Sequence, residues 1–296
     1  MSINTWPDQN IKEVAEDIYT VVHGQGEVGV SNASFVLEKG RAFVIDTMTF
    51  PEMAQNMVTD IARHGAQVET VLNTHHHIDH MGGNQVFAET SLLAHPITIA
   101  TARKLGLPAT IYDHLMPQFR GLFTGRELTM PAPLPMQLHL PQDAELLPFI
   151  SAHTPADVAV WLPRTRTLIA GDICFNRVVP LGVNGLLSGW LEAIEKLIEL
   201  APETVVPGHG PIGTLADLYT LKDYFTRLQT LGQAAVEAQV SLEDALAEFD
   251  PGPLGEWLEQ KRHEINLERA MQEARGEISR DFLAVMPASA VRHQTQ

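Results

Sequence analysis

The feature that most constrains this chain is the segment His75-His76-His77-Ile78-Asp79-His80. It comes almost directly after a β-like run at residues 68–72, so the histidines are expected on a loop that is anchored by a strand. Imidazole and carboxylate groups suit a borderline-soft divalent ion, above all zinc. Two residues spaced like His75 and His77 can chelate one ion on a tight loop, while Asp79 and His80 can turn towards a second ion. The segment therefore predicts a metal site at the end of a strand.

Composition narrows the class of protein. The chain has 296 residues, one cysteine, and 36 acidic against 20 basic side chains, which gives a net charge of −16. One cysteine excludes a disulfide framework and a cysteine-rich zinc site. The acidity argues against nucleic acid or an anionic membrane as a partner, because both require clustered Lys and Arg. We find neither a run of about 20 apolar residues that could span a membrane nor a signal peptide, and we expect a cytoplasmic protein with a small-molecule substrate.

Strand and helix patterns divide the chain into two parts. Strand-like runs alternate with turns and helices up to about residue 213, and they include a hairpin over residues 34–46 and a helix that Pro51 opens. Residues 101–136 have no clear period. After residue 214 only helices are predicted, at 215–235, 241–249 and 254–275, and the last residues, 287–296, are expected to fray. The sequence thus predicts an α/β or α+β layered part, 1–213, and a helical C-terminal extension, 214–296, that packs on it.

Further motifs follow the histidine segment in a characteristic order. His153 stands in AHTPAD, Asp172 in IAGD and His209 in PGHG, while Asp46 stands earlier in VIDT. Together with His-x-His-x-Asp-His, this set resembles the metallo-β-lactamase superfamily from about residue 18 to residue 211, and five motifs in order make the resemblance highly specific. The resemblance implies an α+β fold, a four-layer αββα sandwich, with the metals at one edge of the sheets. Residues 1–213 would then be the catalytic domain.

The resemblance also implies a set of ligands for two divalent metal ions, with zinc favoured and iron or manganese as alternatives. One ion would be held by three histidines and the other by an aspartate and two histidines, with a further aspartate bridging the two. These ligands are His75, His77 and His153 for the first ion, Asp79, His80 and His209 for the second, and Asp172 as the bridge. Asp79 and His80 are also the predicted catalytic residues, and Asp79 would hold or accept the proton of the nucleophile.

Four other residues are candidates for supporting roles. Asp46 and Thr154 are expected to orient a ligand or its loop, although Asp46 would serve equally well as a turn residue at the end of a strand. Tyr112 and His114 lie in the unpatterned stretch, which in related hydrolases often covers the site, so they are either substrate contacts or surface residues. His76, between two ligands, is expected to point away from the metals, towards solvent or a supporting partner.

The sequence departs from the family pattern at one loop. The family often has Gly-His-Thr-Pro-Gly, where this chain has Ala152 and Ala156 on either side of His153-Thr154-Pro155. If the missing glycines had positive φ angles, this loop must differ locally. Cys174 is expected to be a buried apolar residue and not a ligand, because Asp172 already fills that place in the pattern.

An intact ligand set favours a dinuclear hydrolase. Two divalent ions a few ångströms apart would lower the pKa of a bridging water and supply hydroxide near neutral pH. We expect hydrolysis of a small ester, thioester or lactone. The alternatives are β-lactam or phosphoester hydrolysis at the same centre, and a metal-stabilised, non-catalytic binding or regulatory protein. The helical extension would either complete the substrate pocket or form the surface of a homodimer.

Overall fold

The computed structural model describes residues 6–279, and their strands form two sheets. The first sheet has seven strands in chain order, β1 to β7. Its first four strands are antiparallel neighbours, and the strands from β4 to β7 are parallel. The bounds are β1 Gln9–Ala15, β2 Ile18–His23, β3 Ala33–Glu38, β4 Arg41–Ile45, β5 Gln67–Asn73, β6 Ser91–Ala94 and β7 Ala132–Pro133.

The second sheet has four strands in the order β11-β10-β9-β8. The pairs β8–β9 and β9–β10 are antiparallel, whereas β10 and β11 run parallel. The bounds are β8 Glu145–Ile150, β9 Ala156–Leu162, β10 Thr167–Phe175 and β11 Thr204–His209.

Eight α-helices lie in the described part of the chain. Five precede the last strand: α1 Pro51–Arg63, α2 Ile78–Met81, α3 Pro96–Leu105, α4 Ala109–Leu115 and α5 Leu187–Glu199. The other three follow it: α6 Leu215–Glu237, α7 Leu242–Ala247 and α8 Arg262–Ala274. Within residues 6–279, no helix is both long enough and apolar enough to cross a membrane.

Three apolar clusters separate the layers. One lies between the sheets and joins β2, β3, β4 and β5 to β9, β10 and β11. A second packs α1, through Met53, Met57 and Ile61, on the outer face of the first sheet. The third packs α5, α6 and α8 on the outer face of the second sheet, around the fully buried Trp190. The order helix, sheet, sheet, helix confirms the predicted α+β fold, a four-layer αββα sandwich with a helical C-terminal part.

The C-terminal helices begin where the sequence predicts them, with one exception. A capping box formed by Thr214 and Asp217 starts α6, and the Ser241 hydroxyl caps α7. The helix predicted over 254–275 is wrong in its first part. A 3-10 turn, Gly252–Glu256, comes first, and α8 begins only at Arg262 because Leu258 exchanges backbone hydrogen bonds with residues 177 and 179 instead. The predicted limits of the two parts remain a prediction, and the tail at 287–296 lies outside the described residues.

The unpatterned stretch contains short helices that pack on the first sheet. Residues 96–128, called the insert below, include α3, α4 and a 3-10 turn, Pro117–Phe119. Its Met116, Phe119 and Phe123 side chains are buried in the cluster that also holds α1. By contrast, Met136, beyond the insert, is fully exposed. The insert is therefore a packed segment with an exposed outer surface.

Candidate metal centre

The backbone brings the seven predicted ligands to one place. His75 and His77 follow β5, Asp79 and His80 lie in α2, and His153 lies between β8 and β9. Asp172 is in β10, beside a break in the β10–β11 register, and His209 is the last residue of β11. Two groups form, each with its ligand atoms within 4.8 Å of one another: His75, His77, His153 and Asp172, and then Asp79, His80 and His209.

Asp172 faces both groups. Its Oδ2 atom is 3.3 Å from His153 Nε2 and 3.4 Å from His209 Nε2, while its Oδ1 atom is 3.1 Å from His80 Nε2. In the second group, His209 Nε2 is also 3.2 Å from Asp79 Oδ2. One carboxylate thus touches ligands of both groups, as a residue that bridges two ions must.

The donor atoms fit metal ions. Two nitrogen ligands, each about 2.0–2.1 Å from a tetrahedral zinc ion, stand about 3.3 Å apart, and His77 Nδ1 is 3.1 Å from His153 Nε2. His75 Nε2, His80 Nε2 and Asp172 Oδ1 are buried, and although the last two atoms are 3.1 Å apart, none of the three makes a hydrogen bond among the described residues. Such orphaned polar atoms are costly unless something satisfies them, and a divalent ion between them would do so. The residues present therefore fit a metal centre.

Asp46 orients two of the histidines. It has a φ of 65°, a left-handed conformation that aspartate tolerates better than most residues. Its Oδ2 atom is 2.7 Å from His80 Nδ1 and accepts a hydrogen bond from the Thr74 hydroxyl. Thr74 Oγ1 is in turn 3.0 Å from His75 Nδ1. With both Nδ1 atoms donating along this chain, the Nε2 atoms of His75 and His80 are left free to bind a metal.

His77 uses its other nitrogen. Its Nε2 atom is 2.9 Å from Asn184 Oδ1, so the ring donates there and turns Nδ1 towards His153. Asn184 lies between β10 and α5 in a segment that had no periodicity to mark it. Sequence reasoning missed this residue, and only a contact across 107 positions of the chain identifies it.

Burial and neighbouring charges shift the pKa values of the side chains in the centre. Burial would raise the pKa of Asp172, but His209 and His80 outweigh it and hold that pKa well below its usual value. Burial lowers the pKa of His80, yet Asp172 and Asp46 raise it well above the ordinary histidine value. Burial, followed by the charge of His153, lowers the pKa of His77 to about 4. These carboxylates favour cations in the centre, while His77 stays neutral as a metal ligand must.

Close backbone approach is needed beside Asp172. A Cβ atom on Gly208 would lie 1.8 Å from Asp172 Oδ1. The main chain around Gly208 is fixed by Asn32, a residue outside the sequence motifs. Its backbone N–H donates to the Gly208 carbonyl, and its side-chain amide donates to the carbonyls of Pro207 and Gly210. Asn32 is thus a second residue that sequence reasoning missed.

The loop around His153 has no positive φ angle at the two alanines that stand in place of the family's glycines. Its left-handed residue is Ser151, with a φ of 60°, whereas Ala156 begins β9. The backbone N–H and the hydroxyl of Thr154 both donate to Asp157, a buried carboxylate that sequence reasoning did not single out. Burial raises the pKa of Asp157 to about 7. Thr154 therefore shapes the loop, and the described structure gives it no hydrogen bond to the ligands.

The remaining candidates separate clearly. Tyr112 is partly buried on α4, and burial, followed by the charge of Asp79, raises the pKa of its hydroxyl to about 12. His114 is exposed on α4. His76 was expected to point to solvent or to a supporting partner, but it is 5% exposed and both ring nitrogens are buried without a hydrogen-bond partner among residues 6–279. Cys174 is buried in the cluster beside α5, as predicted.

Comparison with known proteins gives a family match and distant relatives. A family model described as the metallo-beta-lactamase superfamily matches residues 26–127 and 131–209. A hydroxyacylglutathione hydrolase from a Synechococcus species is 26% identical over 225 residues, which cover 74% of this chain and 77% of that protein.

Solved structures share the fold at low identity. The DIM-1 metallo-beta-lactamase superposes with a TM-score of 0.60 at 20% identity, over 75% of this chain and 98% of that chain. A metallo-beta-lactamase from Pontibacter korlensis gives 0.60 at 18% identity, over 74% of this chain and 99% of its own. The inverting sec-alkylsulfatase Pisa1 from a Pseudomonas species gives 0.69 at 18% identity, over 90% of this chain and 50% of that one.

Proposed function

The chain belongs to the metallo-beta-lactamase superfamily, and on that premise we propose that it is a dinuclear, metal-dependent hydrolase of a small ester, thioester or lactone. The observation that carries the proposal is the pair of ligand groups, which Asp172 joins through its contacts with His80 and His209, together with buried donor atoms that make no hydrogen bond among the described residues. Zinc is the proposed ion, because the donors are imidazole nitrogens and carboxylate oxygens.

The side chains of the centre have distinct roles in the proposed reaction. Divalent ions bound there would supply a hydrolytic nucleophile near neutral pH and polarise the bond that it attacks. Burial would raise the pKa of Asp79, but a hydrogen bond from His209 and the charges of His80 and His209 lower it to about 2. As a metal ligand Asp79 would also be ionised, and its carboxylate would accept and orient the proton of the attacking group. Asp46 and Asn184 hold His80 and His77 in the orientation that this requires.

Two observations bear on the substrate. The similarity to a hydroxyacylglutathione hydrolase supports an acyl substrate such as a thioester. Lys261 and Arg262 are adjacent cations of the extension, but they do not form a surface site for a glutathione carboxylate, because only Lys261 of the two is exposed. Arg262 is 4% exposed, and its Nη1 atom donates to the Val179 carbonyl. We therefore propose a small acyl substrate in preference to a glutathione conjugate.

Turnover on a substrate panel tests the proposal. The panel contains an aryl ester, an acyl thioester and a lactone, together with nitrocefin and a bis-aryl phosphodiester for the alternative activities. It also contains a secondary alkyl sulfate, because the similarity to the sec-alkylsulfatase extends over more of this chain than that to the β-lactamases. We expect zinc-loaded protein to turn over an acyl substrate, chelator-treated protein to lose that activity, and His77→Ala to fall by roughly 100-fold or more.

A matched control uses a histidine outside the centre. His139 is exposed, and His139→Ala should retain wild-type activity. Turnover of only nitrocefin, the phosphodiester or the sulfate would replace the proposed substrate class. Zinc binding without turnover on any substrate would favour a binding or regulatory protein, and His77→Ala equal to wild type would contradict the hydrolytic role of this centre.

A further inference from the structure

One face of α8 is polar although it is turned into the protein. Arg262, Asn266, Arg269 and Glu273 follow one another at spacings of four, three and four residues, so they form one stripe along the helix. Arg262 is 4% exposed, while Asn266 and Arg269 have no exposure at all. Buried polar side chains of this kind need partners, and α8 lies beyond the residues that match the family model.

Each member of this stripe bonds to backbone groups of one segment, residues 179–187, and Asn266 also donates to the Tyr224 hydroxyl. Arg262 Nη1 donates to the Val179 carbonyl at 2.8 Å, and Arg269 Nε donates to the Gly185 carbonyl at 2.7 Å. Asn266 uses both ends of its amide. It donates to the Pro180 carbonyl at 2.9 Å and accepts from the Gly182 N–H at 2.9 Å.

The last residue of the stripe fixes the end of the segment. Glu273 Oε2 accepts from the Leu187 N–H at 2.8 Å, at the first residue of α5. A carboxylate at a helix N-terminus satisfies free N–H groups and is favoured there by the helix dipole. All four side chains of the stripe therefore hold the segment between β10 and α5 by hydrogen bonds to its main chain.

The segment that α8 holds contains Asn184, which orients the candidate metal ligand His77. Asn184 lies between Gly182, which Asn266 holds, and Gly185, which Arg269 holds. A Cβ atom on Gly185 would lie 2.7 Å from the Ala152 carbonyl oxygen, so the segment is also pressed against the His153 loop. Asn184 Oδ1 is 2.9 Å from His77 Nε2. Displacing the segment would therefore move the only hydrogen bond that the described structure gives to His77 Nε2.

We propose that α8 is a positioning element of the metal centre. Its polar stripe holds residues 179–187 so that Asn184 keeps His77 Nδ1 aimed at the first group of ligands, and the C-terminal extension thereby sets metal affinity. The inference rests on the proposed metal centre but not on any substrate. Asn184 and the stripe act through His77, so all of them are positioning residues.

The first step of the proposal is that Asn184 orients His77. Zinc affinity, measured by competition with a chromogenic chelator, tests this step. Asn184→Leu keeps the approximate shape but cannot accept from His77, and it should weaken zinc binding by roughly 10- to 100-fold. Asn184→Asp keeps an acceptor oxygen and should restore affinity to within a few-fold of wild type. The visible spectrum of the cobalt-loaded protein should change in Asn184→Leu and remain close to wild type in Asn184→Asp.

The second step is that α8 holds the segment that contains Asn184, and a double-mutant cycle tests it. Asn266→Leu removes two hydrogen bonds to the segment and should weaken zinc binding in the same direction. In the Asn184→Leu background it should add less than about twofold, because both changes act through one path. If Asn266→Leu fails to fold, Glu273→Ala at the half-buried end of the stripe is the substitute, with the same expectation.

The control separates positioning from stability. Leu228→Ala opens a cavity in the core beside α6 and removes no hydrogen bond to the segment, so it should lower Tm with zinc affinity unchanged. Equal loss of affinity in Leu228→Ala, or full additivity in the double variant, would overturn the proposal. So would unchanged affinity in Asn184→Leu while wild type binds zinc. Wild-type protein that binds no zinc would overturn the metal centre itself, and this inference with it.

Discussion

The ligand loops and the insert differ in the contacts that dominate their packing. The ligand loops are buried and held by directional hydrogen bonds, such as those from Thr74 and His80 to Asp46. The insert is held mainly by apolar side chains such as Met116 and Phe123, while α4 has no buried residue and Ile111 is 51% exposed. Directional contacts fix atoms to fractions of an ångström, whereas apolar packing tolerates substitution of similar volume. We therefore expect substitutions in the ligand loops to weaken metal binding, and substitutions of similar volume in the insert to leave it unchanged.

The same substitution in both regions should give the largest difference. Gly208→Ala would place a Cβ atom 1.8 Å from Asp172 Oδ1 and 2.8 Å from the Gly171 carbonyl carbon. The carboxylate or the β10–β11 pairing must move, so we expect zinc affinity to fall by more than roughly 100-fold, with a loss of stability of about 3 kcal/mol. Chelator competition and urea unfolding measure the two effects.

The matched change in the insert is Gly125→Ala. Gly125 has a φ of 74°, and a Cβ atom added there would have no other atom within 4 Å, so only backbone strain is added. That strain should cost about 1–2 kcal/mol and leave zinc affinity unchanged. Loss of zinc binding in Gly125→Ala as large as in Gly208→Ala would remove the contrast between the regions.

The dependence of stability on acid pH should also separate a buried histidine of the first sheet from an exposed histidine of the insert. His23, at the end of β2, has no exposure, and burial lowers its pKa to about 4. Between pH 6.5 and pH 4 the unfolded chain binds a proton at His23 that the folded chain does not, so stability falls as the pH falls through this window. Above pH 6.5 this residue has no effect on the pH dependence. The full contribution is about 3 kcal/mol.

Replacing this histidine should flatten the acid limb of the stability curve. In chelator-treated protein, we expect His23→Phe to lose less stability than wild type between about pH 6.5 and about pH 4.5, as measured by urea unfolding at several pH values. His114→Phe changes an exposed histidine of the insert and should keep the wild-type slope. An unchanged slope in His23→Phe, or a flattened one in His114→Phe, would contradict the assignment.

The contrast also explains what the sequence could predict. His75, His77 and Asp79 are recognisable because a metal centre demands those residue types at that spacing, and the fold follows from the ordered motifs around them. Helices α5 and α6 show an apolar face with a helical period. The metal ligands and the layered core could therefore be predicted from local sequence patterns.

The residues that escaped prediction depend on distant contacts. Asn184 supports His77 across 107 positions, and Asn32 reaches Pro207 across 175 positions. Neither residue has a neighbour in sequence that signals its role. Strand β1 was not predicted, because its burial alternates only weakly at the edge of the sheet. The start of α8 was predicted too early, because Leu258 pairs with the chain near Val178. Local propensity carries no information on such pairings.

The smallest expected effect concerns Tyr112, a partly buried residue of the insert. Its ring packs on Phe123 with a centroid separation of 5.3 Å, and the charge of Asp79 contributes to the raised pKa of its hydroxyl. Tyr112→Phe keeps the ring packing and removes one hydrogen-bonding group. If that hydroxyl contacts substrate, one neutral hydrogen bond is lost, which corresponds to about 0.5–1.5 kcal/mol. We therefore expect KM for the best acyl substrate to rise by roughly 2- to 10-fold.

Metal binding should not respond to the same change. Because Tyr112 is not among the ligand groups, zinc affinity and kcat in Tyr112→Phe should stay within about twofold of wild type. Tyr219→Phe on α6 changes a 53% exposed tyrosine and serves as the control, with no expected effect on KM. A fall in zinc affinity in Tyr112→Phe would mean that the insert helps to hold the metal. A rise in KM alone would assign substrate selection to the insert and metal binding to the ligand loops, because one variant would then have separated the two.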